Sequence, residues 1–238
     1  MRAGSPEACH AGWLLDKGAA ADYHFLRLLG RDASMARKCI IVSGGEYYPV
    51  SQPDPDAFVI ACDSGYESCL RSGINPDLVI GDFDSYAGRI AEGIPVLRLP
   101  CEKDDTDTMS ALRWAVDKGF EEVQLYCALG GRLDHVMANL QALGWAAEHG
   151  LFAAIESPDC RVFALRGAVL RLPRREGFSL SVFALTDRCR ITIRGAKYPL
   201  EDVEIGNRFP IGVSNEWAAD EAVVIAHEGT LLIVESKL

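Results

Sequence analysis

Residues Asn75–Ser85 read "NPDLVIGDFDS". The apolar run Leu78-Val79-Ile80 ends in Gly81, and two aspartates follow, Asp82 and Asp84, with one residue between them. A short unbroken apolar run bounded by turn residues is how a strand covered on both faces reads. Similar runs recur around it: "CIIVS" (39–43) before Gly44-Gly45, "AFVIA" (57–61) before Cys62-Asp63-Ser64-Gly65, "IPVLRL" (94–99) before "PCEKDDTD", and "VQLYCAL" (123–129) before Gly130-Gly131. The intervening segments have helical period. In "DTMSALRWAVDKG" Met109, Leu112 and Val116 share a face, with Thr106 as the cap and Gly119 as the stop. In "RLDHVMANLQALGWAAEHG" the stripe is Leu133, Val136, Leu140, Leu143 and Ala147, ending at Gly150. Strands alternating with such helices predict a right-handed, doubly wound, parallel α/β layer.

Past Ser157 the period changes. "AVLRL", "FSLSVFAL", "CRITIRG", "EAVVIAHEG" and "TLLIVES" are short strands separated by turn residues. They predict an antiparallel all-β unit, small enough to lean on the first unit or on another subunit for burial. The expected organisation is a peripheral leader of unassigned role over 1–34, an α/β domain over 35–156 and a β domain over 157–238. Met35 reads as a natural chain start, and a helix is expected near Ala20–Leu29. The leader lacks the pattern of a signal peptide.

Composition narrows the function. The 238 residues are 49% apolar and carry a formal charge of −10, which suits a globular protein and excludes a basic nucleic-acid surface. No apolar run reaches the length of a membrane span. The eight cysteines form no CxxC pair and several lie inside apolar runs, which predicts free thiols in a reducing cytoplasm.

Asp63, Asp82, Asp84, Asp104, Asp105 and Asp107 all follow predicted strands. In an open parallel sheet the strand C-termini form the ligand crevice, so these carboxylates are expected along one rim. Unassisted, they raise one another's pKa. Hard aspartate oxygens suit Mg²⁺ that shares its shell with substrate phosphates, and Asp82 and Asp84 are its expected holders. Asp105 is either a further member or a helix cap. In "LGGRLDHVMAN", Gly130-Gly131 lets backbone approach an anion at a helix start, and Arg132, His135 and Asn139 fall on one polar face. Arg132 has the fork to grip a phosphate, and Lys103 is either a second cation on the rim or a surface lysine. Neither the P-loop nor the dinucleotide fingerprint is present.

Four stretches, "CDSGYESCLRSGINPDLVIGDFDS" (62–85), "EKDDTD" (102–107), "GGRLDH" (130–135) and "IRGAKYPLEDVEIGNRFPIGVSNEW" (193–217), resemble the thiamine pyrophosphokinases in order and spacing. The resemblance implies a Rossmann-like α/β domain followed by an antiparallel β-sandwich. It implies a homodimer with substrate sites at the subunit interface, and transfer of a diphosphoryl group from ATP to the hydroxyl of thiamine with Mg²⁺. It assigns Asp82, Asp84 and Asp107 to the metal, with Asp63 beside them in the catalytic set. Ser64, Gly65, Thr106, Gly130, Gly131, Arg132 and Asp134 fall to ATP; Tyr198, Ser214, Asn215, Lys103 and Asp104 fall to thiamine. Tyr198 stands where relatives often carry a tryptophan; it is either a stacking platform or an ordinary β-core tyrosine. The base that takes the hydroxyl proton is Asp107 or Asp104. Two other readings are the same chemistry on another heterocyclic alcohol, such as a hydroxymethylpterin, and a nucleotide-binding regulator without catalysis.

Overall fold

The computed structural model describes residues 36–84, 86, 88–102 and 104–238. The leader, the helix expected at Ala20–Leu29 and the role expected of Lys103 lie outside the described residues.

The first part of the chain runs β1 (Lys38–Val42), β2 (Phe58–Cys62), α1 (Gly65–Arg71), β3 (Leu78–Gly81), β4 (Val96–Arg98), α2 (Asp107–Asp117), β5 (Glu122–Tyr126), α3 (Leu133–Glu148) and β6 (Phe152–Glu156). These strands pair in parallel in the order β4-β3-β2-β1-β5-β6. Strand order reverses between β1 and β5, and a switch point of this kind opens a crevice beyond the strand C-termini.

The sheet does not stop at β6. β6 pairs antiparallel with β7 (Cys160–Arg166), Ala154 facing Phe163. The chain then forms β8 (Val169–Pro173), β9 (Phe178–Ala184), β10 (Arg188–Arg194), β11 (Leu200–Gly206), β12 (Glu221–Glu228) and β13 (Thr230–Lys237). β13 lies between β7 and β9 and completes a nine-stranded sheet, while β11-β10-β12-β8 form a second, antiparallel one. The α/β layer and the sandwich therefore share one sheet. β6, β7 and β11 are strands that the sequence reading does not name.

Side-chain alternation shows how this works. In β1, Cys39 and Ile41 face one core and Ile40 and Val42 another. The first core holds the buried faces of α2 and α3, among them Leu112 and Leu143; the second holds Tyr66 and Cys69 of α1. In β7, Val162 and Ala164 join the helical core, whereas Phe163 and Leu165 face a third core between the two sheets. In β1, β2, β3 and β7 both faces are covered, which is why these strands are continuous apolar runs. The helix ends follow local chemistry. Thr106 Oγ1 accepts from Met109 N at 3.1 Å, and Gly119 takes φ +72°. One expectation fails: Leu133 is 75% exposed and Asn139 is buried in its stead. Leu133 opens α3 at the mouth of the crevice, where the periodic stripe no longer meets the sheet.

A charged group is buried where β6, β7 and β13 meet. Glu235 is fully buried, and its Oε2 accepts from Arg161 Nε (2.9 Å), Arg161 Nη2 (2.6 Å) and Arg175 Nη1 (3.0 Å). Burial pushes the neighbouring Glu156 up to about 7; Arg161 and Arg175 oppose the shift and Glu235 adds to it. A carboxyl raised on folding stabilises the protein below its ordinary pKa of 4.5, and that contribution fades as pH climbs through 7. Thermal melts between about pH 5 and 8 should therefore fall for the native chain. Glu156→Gln flattens the profile by about 2–3 kcal/mol across that window, and a variant with the native slope refutes the assignment.

Candidate active site

A crevice of about 780 Å³ opens along the C-terminal ends of the parallel strands. Its walls come from segments far apart in sequence: Ser43–Glu46 after β1, Cys62–Ser64 after β2, Asp82 and Asp84 after β3, Cys101 and Asp105–Thr108 before and in α2, and Ala128, Gly130–Arg132, His135 and Asn139 after β5.

The acidic side is built by unusual backbone. Asp63 (φ +46°) and Phe83 (φ +62°) both take the left-handed conformation. Aspartate tolerates it, but a bulky aromatic does not without strain, and such strain is held where the surroundings over-determine it. Around Phe83 the turn closes with Asp84 N donating to Asp82 Oδ1 at 3.2 Å, and the Arg98 guanidinium lies 4.8 Å from the Phe83 ring centroid. The strained turn keeps Asp82 and Asp84 together at the crevice. Gly81 makes room: a Cβ there would stand 3.2 Å from Asp63 Cα and Cβ. Asp63 is 6% exposed and its Oδ1 is buried without a hydrogen-bond partner. Burial raises its pKa; the Ser64 amide opposes the shift, and Asp107, Asp84 and Asp82 push it further up. Such a carboxylate asks for a cation. Among the described residues no three acidic, thiol or imidazole side chains already form a metal cage.

The other side is the Gly130-Gly131-Arg132 turn. Both glycines have positive φ, +76° and +67°, and a Cβ on Gly130 would collide with the Glu46 side chain. Arg132 donates to Asp134 twice, Nε to Oδ1 at 3.1 Å and Nη2 to Oδ2 at 2.6 Å. This pairing raises the guanidinium pKa and lowers that of Asp134. Asp134 also accepts from His135 N at 3.0 Å, so it aims the arginine from the start of α3. Asn139 Nδ2 donates to Ala128 O at 2.8 Å and ties the helix to the floor of the turn. Ser43 Oγ and Thr108 Oγ1 lie 2.8 Å apart and bind the β1 loop to α2.

Of the residues expected at the site, Asp63, Ser64, Asp82, Asp84, Thr106, Asp107, Gly130, Gly131 and Arg132 line this crevice. Gly65 is buried beneath it, packed so tightly on β1 that a Cβ would strike Val42 O. Asp104 is exposed and not part of the wall, and Asp105 pairs with Arg113 at 2.9 Å. The residues matched to thiamine form a separate group. Asn215, 6% exposed, donates from Nδ2 to Tyr198 O (2.9 Å) and accepts at Oδ1 from Tyr198 N (3.0 Å). The Tyr198 ring itself is 62% exposed. Ser214 sits at φ +56° with its N–H on Ser181 Oγ at 3.0 Å. None of these three lines the acidic crevice. Glu46, Ser43 and Thr108 are wall residues that sequence reasoning did not name.

Arg132→Lys keeps the charge and loses the paired hold on Asp134. If the turn grips a phosphate of ATP, as the sequence resemblance implies, this change raises the KM for ATP by roughly tenfold or more, nearly as much as Arg132→Ala. Native KM in the lysine variant would place Arg132 outside the nucleotide site.

Fold and crevice together define a class, the Rossmann-like proteins that carry their ligand beyond the parallel strand ends. Two family profiles narrow it: thiamin pyrophosphokinase, catalytic domain, over residues 54–153, and thiamin pyrophosphokinase, vitamin B1 binding domain, over 168–232. The chain belongs to the thiamin pyrophosphokinase family. It is 28% identical over 191 residues to the thiamine pyrophosphokinase of Bacillus subtilis, covering 77% of this chain and 89% of that protein. The fold matches a crystal structure of the B. subtilis enzyme with a TM-score of 0.78 at 24% identity, covering 85% of this chain and all of the other. It also matches the thiamin pyrophosphokinase of Candida albicans with a TM-score of 0.69 at 12% identity, covering 95% and 96%.

Proposed function

We propose that this protein is an enzyme that transfers the diphosphoryl group of ATP to the hydroxyl of thiamine, giving thiamine diphosphate and AMP. The observation that carries this reading is one crevice in which carboxylates from three strand ends face a glycine-arginine turn. That is the arrangement a polyphosphate with a divalent cation requires. The vitamin B1-binding match over 168–232 favours thiamine over a hydroxymethylpterin, and the catalytic-domain match over 54–153 favours catalysis over mere nucleotide sensing.

Asp82, Asp84 and Asp107 are the residues that would hold Mg²⁺. When bound, the ion offsets charge on the phosphate oxygens. The chain's own residues do the positioning. Arg132, aimed by Asp134, grips a phosphate; the Gly130 and Gly131 backbone lets it lie close; Thr106 holds the start of α2 so that Asp107 faces the crevice. The thiamine hydroxyl attacks the β-phosphorus, the bond to the α-phosphate oxygen breaks, AMP leaves, and the hydroxyl proton passes to a carboxylate. Asp107 lines the crevice and Asp104 does not, which favours Asp107 as the acceptor, through a carboxylate oxygen not committed to the ion.

The division of labour follows the chain: residues 35–156 handle nucleotide and metal, and 157–238 handle thiamine through the Tyr198 ring that Asn215 presents. Tyr198, Ser214 and Asn215 stand apart from the acidic wall, which supports a homodimer whose β unit faces its partner's crevice. Mixing Asp82→Asn chains with Tyr198→Ala, Ser214→Ala chains should restore activity in the heterodimer; confirmed heterodimers that stay inactive would put the whole site in one chain. The seven described cysteines are all free, in keeping with the cytoplasm, and no described helix is long and apolar enough to cross a membrane. The deciding experiment measures AMP release from ATP and Mg²⁺ with thiamine, with a hydroxymethylpterin, and with no acceptor. AMP that appears only with thiamine upholds the function, and release that ignores thiamine ends it.

A further inference from the structure

Glu46 is an acidic residue set against a turn proposed to bind phosphate, and it is fixed there with care. The loop that follows β1 is laced onto the loop that follows β5: Gly45 N donates to Cys127 O at 2.8 Å and Glu46 N to Leu129 O at 3.1 Å. Tyr48 Oη accepts from Cys127 N at 2.7 Å and donates to the Glu156 carbonyl, so the far end of the loop is tied to β5 and β6 as well. A Cβ on Gly45 would stand 2.8 Å from Leu129 O. The approach thus requires a glycine before Glu46. It also requires one opposite, because the Glu46 side chain occupies the space that a Gly130 side chain would need. Two backbones and two glycines fix the Glu46 backbone at the switch point of the sheet, with its exposed side chain laid against Gly130.

A carboxylate in that place repels phosphate oxygens and accepts hydrogen bonds only. It therefore faces a part of the ligand that donates. In a nucleoside triphosphate the donors are the ribose hydroxyls and, on adenine, the exocyclic amine. The ribose is the part joined directly to the phosphates, and Glu46 abuts Gly130, two residues from Arg132. We propose that Glu46 is a specificity-determining residue that accepts hydrogen bonds from the 2′- and 3′-hydroxyls of the nucleotide ribose. It makes the enzyme select ribonucleoside triphosphates and orients the leaving nucleoside monophosphate. This rests on the proposed use of ATP. A carboxylate left facing a deoxygenated sugar has lost its water without gaining a partner, and that difference creates selectivity.

The test compares binding and turnover of ATP, 2′,3′-dideoxy-ATP and inosine triphosphate, which lacks the exocyclic amine, in the native chain, Glu46→Gln and Glu46→Ala. Binding is read by calorimetry with Mg²⁺ and no thiamine; turnover is read as AMP or its analogue. The native chain should bind the dideoxy nucleotide at least about tenfold more weakly than ATP. Glu46→Ala should reduce that ratio to below about threefold by weakening ATP alone, with Glu46→Gln between them. Equal loss of ATP and dideoxy-ATP affinity in Glu46→Ala overturns the assignment. So does a native chain that rejects inosine triphosphate rather than the dideoxy sugar, because the carboxylate then reads the base. Failure of the native chain to make AMP from ATP and thiamine would strike the function itself, while AMP formation without sugar discrimination strikes Glu46 alone.

Discussion

Asp82→Asn and Asp84→Asn should each lower thiamine-dependent AMP release by at least about a hundredfold while leaving the protein folded. Asparagine has the same shape as aspartate, and its carbonyl oxygen at position 82 still accepts from Asp84 N, so the turn around the left-handed Phe83 survives. What disappears is one negative charge beside Asp63 and Asp107, in a crevice where the remaining carboxylates already repel one another. The loss should therefore appear in Mg²⁺-dependent ATP binding by calorimetry as well as in turnover, and raising Mg²⁺ should recover part of it. Folding should not suffer, since removing one of several like charges relieves repulsion. A variant that turns over at the native rate under limiting Mg²⁺ would take these residues out of the metal site.

Glu235→Ala should cost about 3–5 kcal/mol, because it removes the acceptor that Arg161 and Arg175 share and leaves Glu156, 3.8 Å from Arg161 Nε, as the carboxylate beside them. Arg161 is 5% exposed, and its Nε and Nη2 both donate to Glu235 Oε2; Arg175 Nη1 donates to the same oxygen. For a chain of this size the melting temperature should fall by roughly 10 °C or more. The double variant Arg161→Met, Glu235→Leu should recover most of that, since replacing a buried ion pair by apolar side chains is often neutral. A single Glu235→Ala variant melting within about 2 °C of the native chain would show that water reaches the arginines.

Much of this could be read before the fold was known. Asp63, Asp82, Asp84 and Asp107 were legible because a parallel sheet sends all its strand C-termini to one edge, so residues that follow apolar runs must converge. Thr106 was legible because a cap is a local matter between neighbours in sequence. Glu46 was not, because nothing local marks it. Its meaning arises where the loops after β1 and β5 meet, and no period or spacing along the chain reports that approach. β7 escaped for another reason. "CRVFALR" is buried on both faces, so it lacks the alternation that marks an antiparallel strand with one wet face. Leu133 misled in the opposite sense: it keeps helical register with Leu140 and Leu143, but register says nothing about where the sheet beneath ends. The resemblance pointed to Asn215 as a substrate contact; in the structure its amide is spent on the Tyr198 backbone.

The placement of β13 bears on how the chain is made. β7 and β9 are synthesised well before β13, yet each has its ladder with β13 between them. While the ribosome is still adding the residues in between, both wait with an open edge, and the third core cannot close. The parallel half, whose strands pair from neighbours already emerged, can order itself early. Its extension has to wait for a strand that pairs across some seventy residues, from Cys160–Ser236 to Arg166–Thr230. Long-range pairing of this kind slows folding and prolongs the exposure of sticky edges. Yield in cells should therefore respond to growth temperature and chaperone supply more sharply than the stability of the finished protein would suggest.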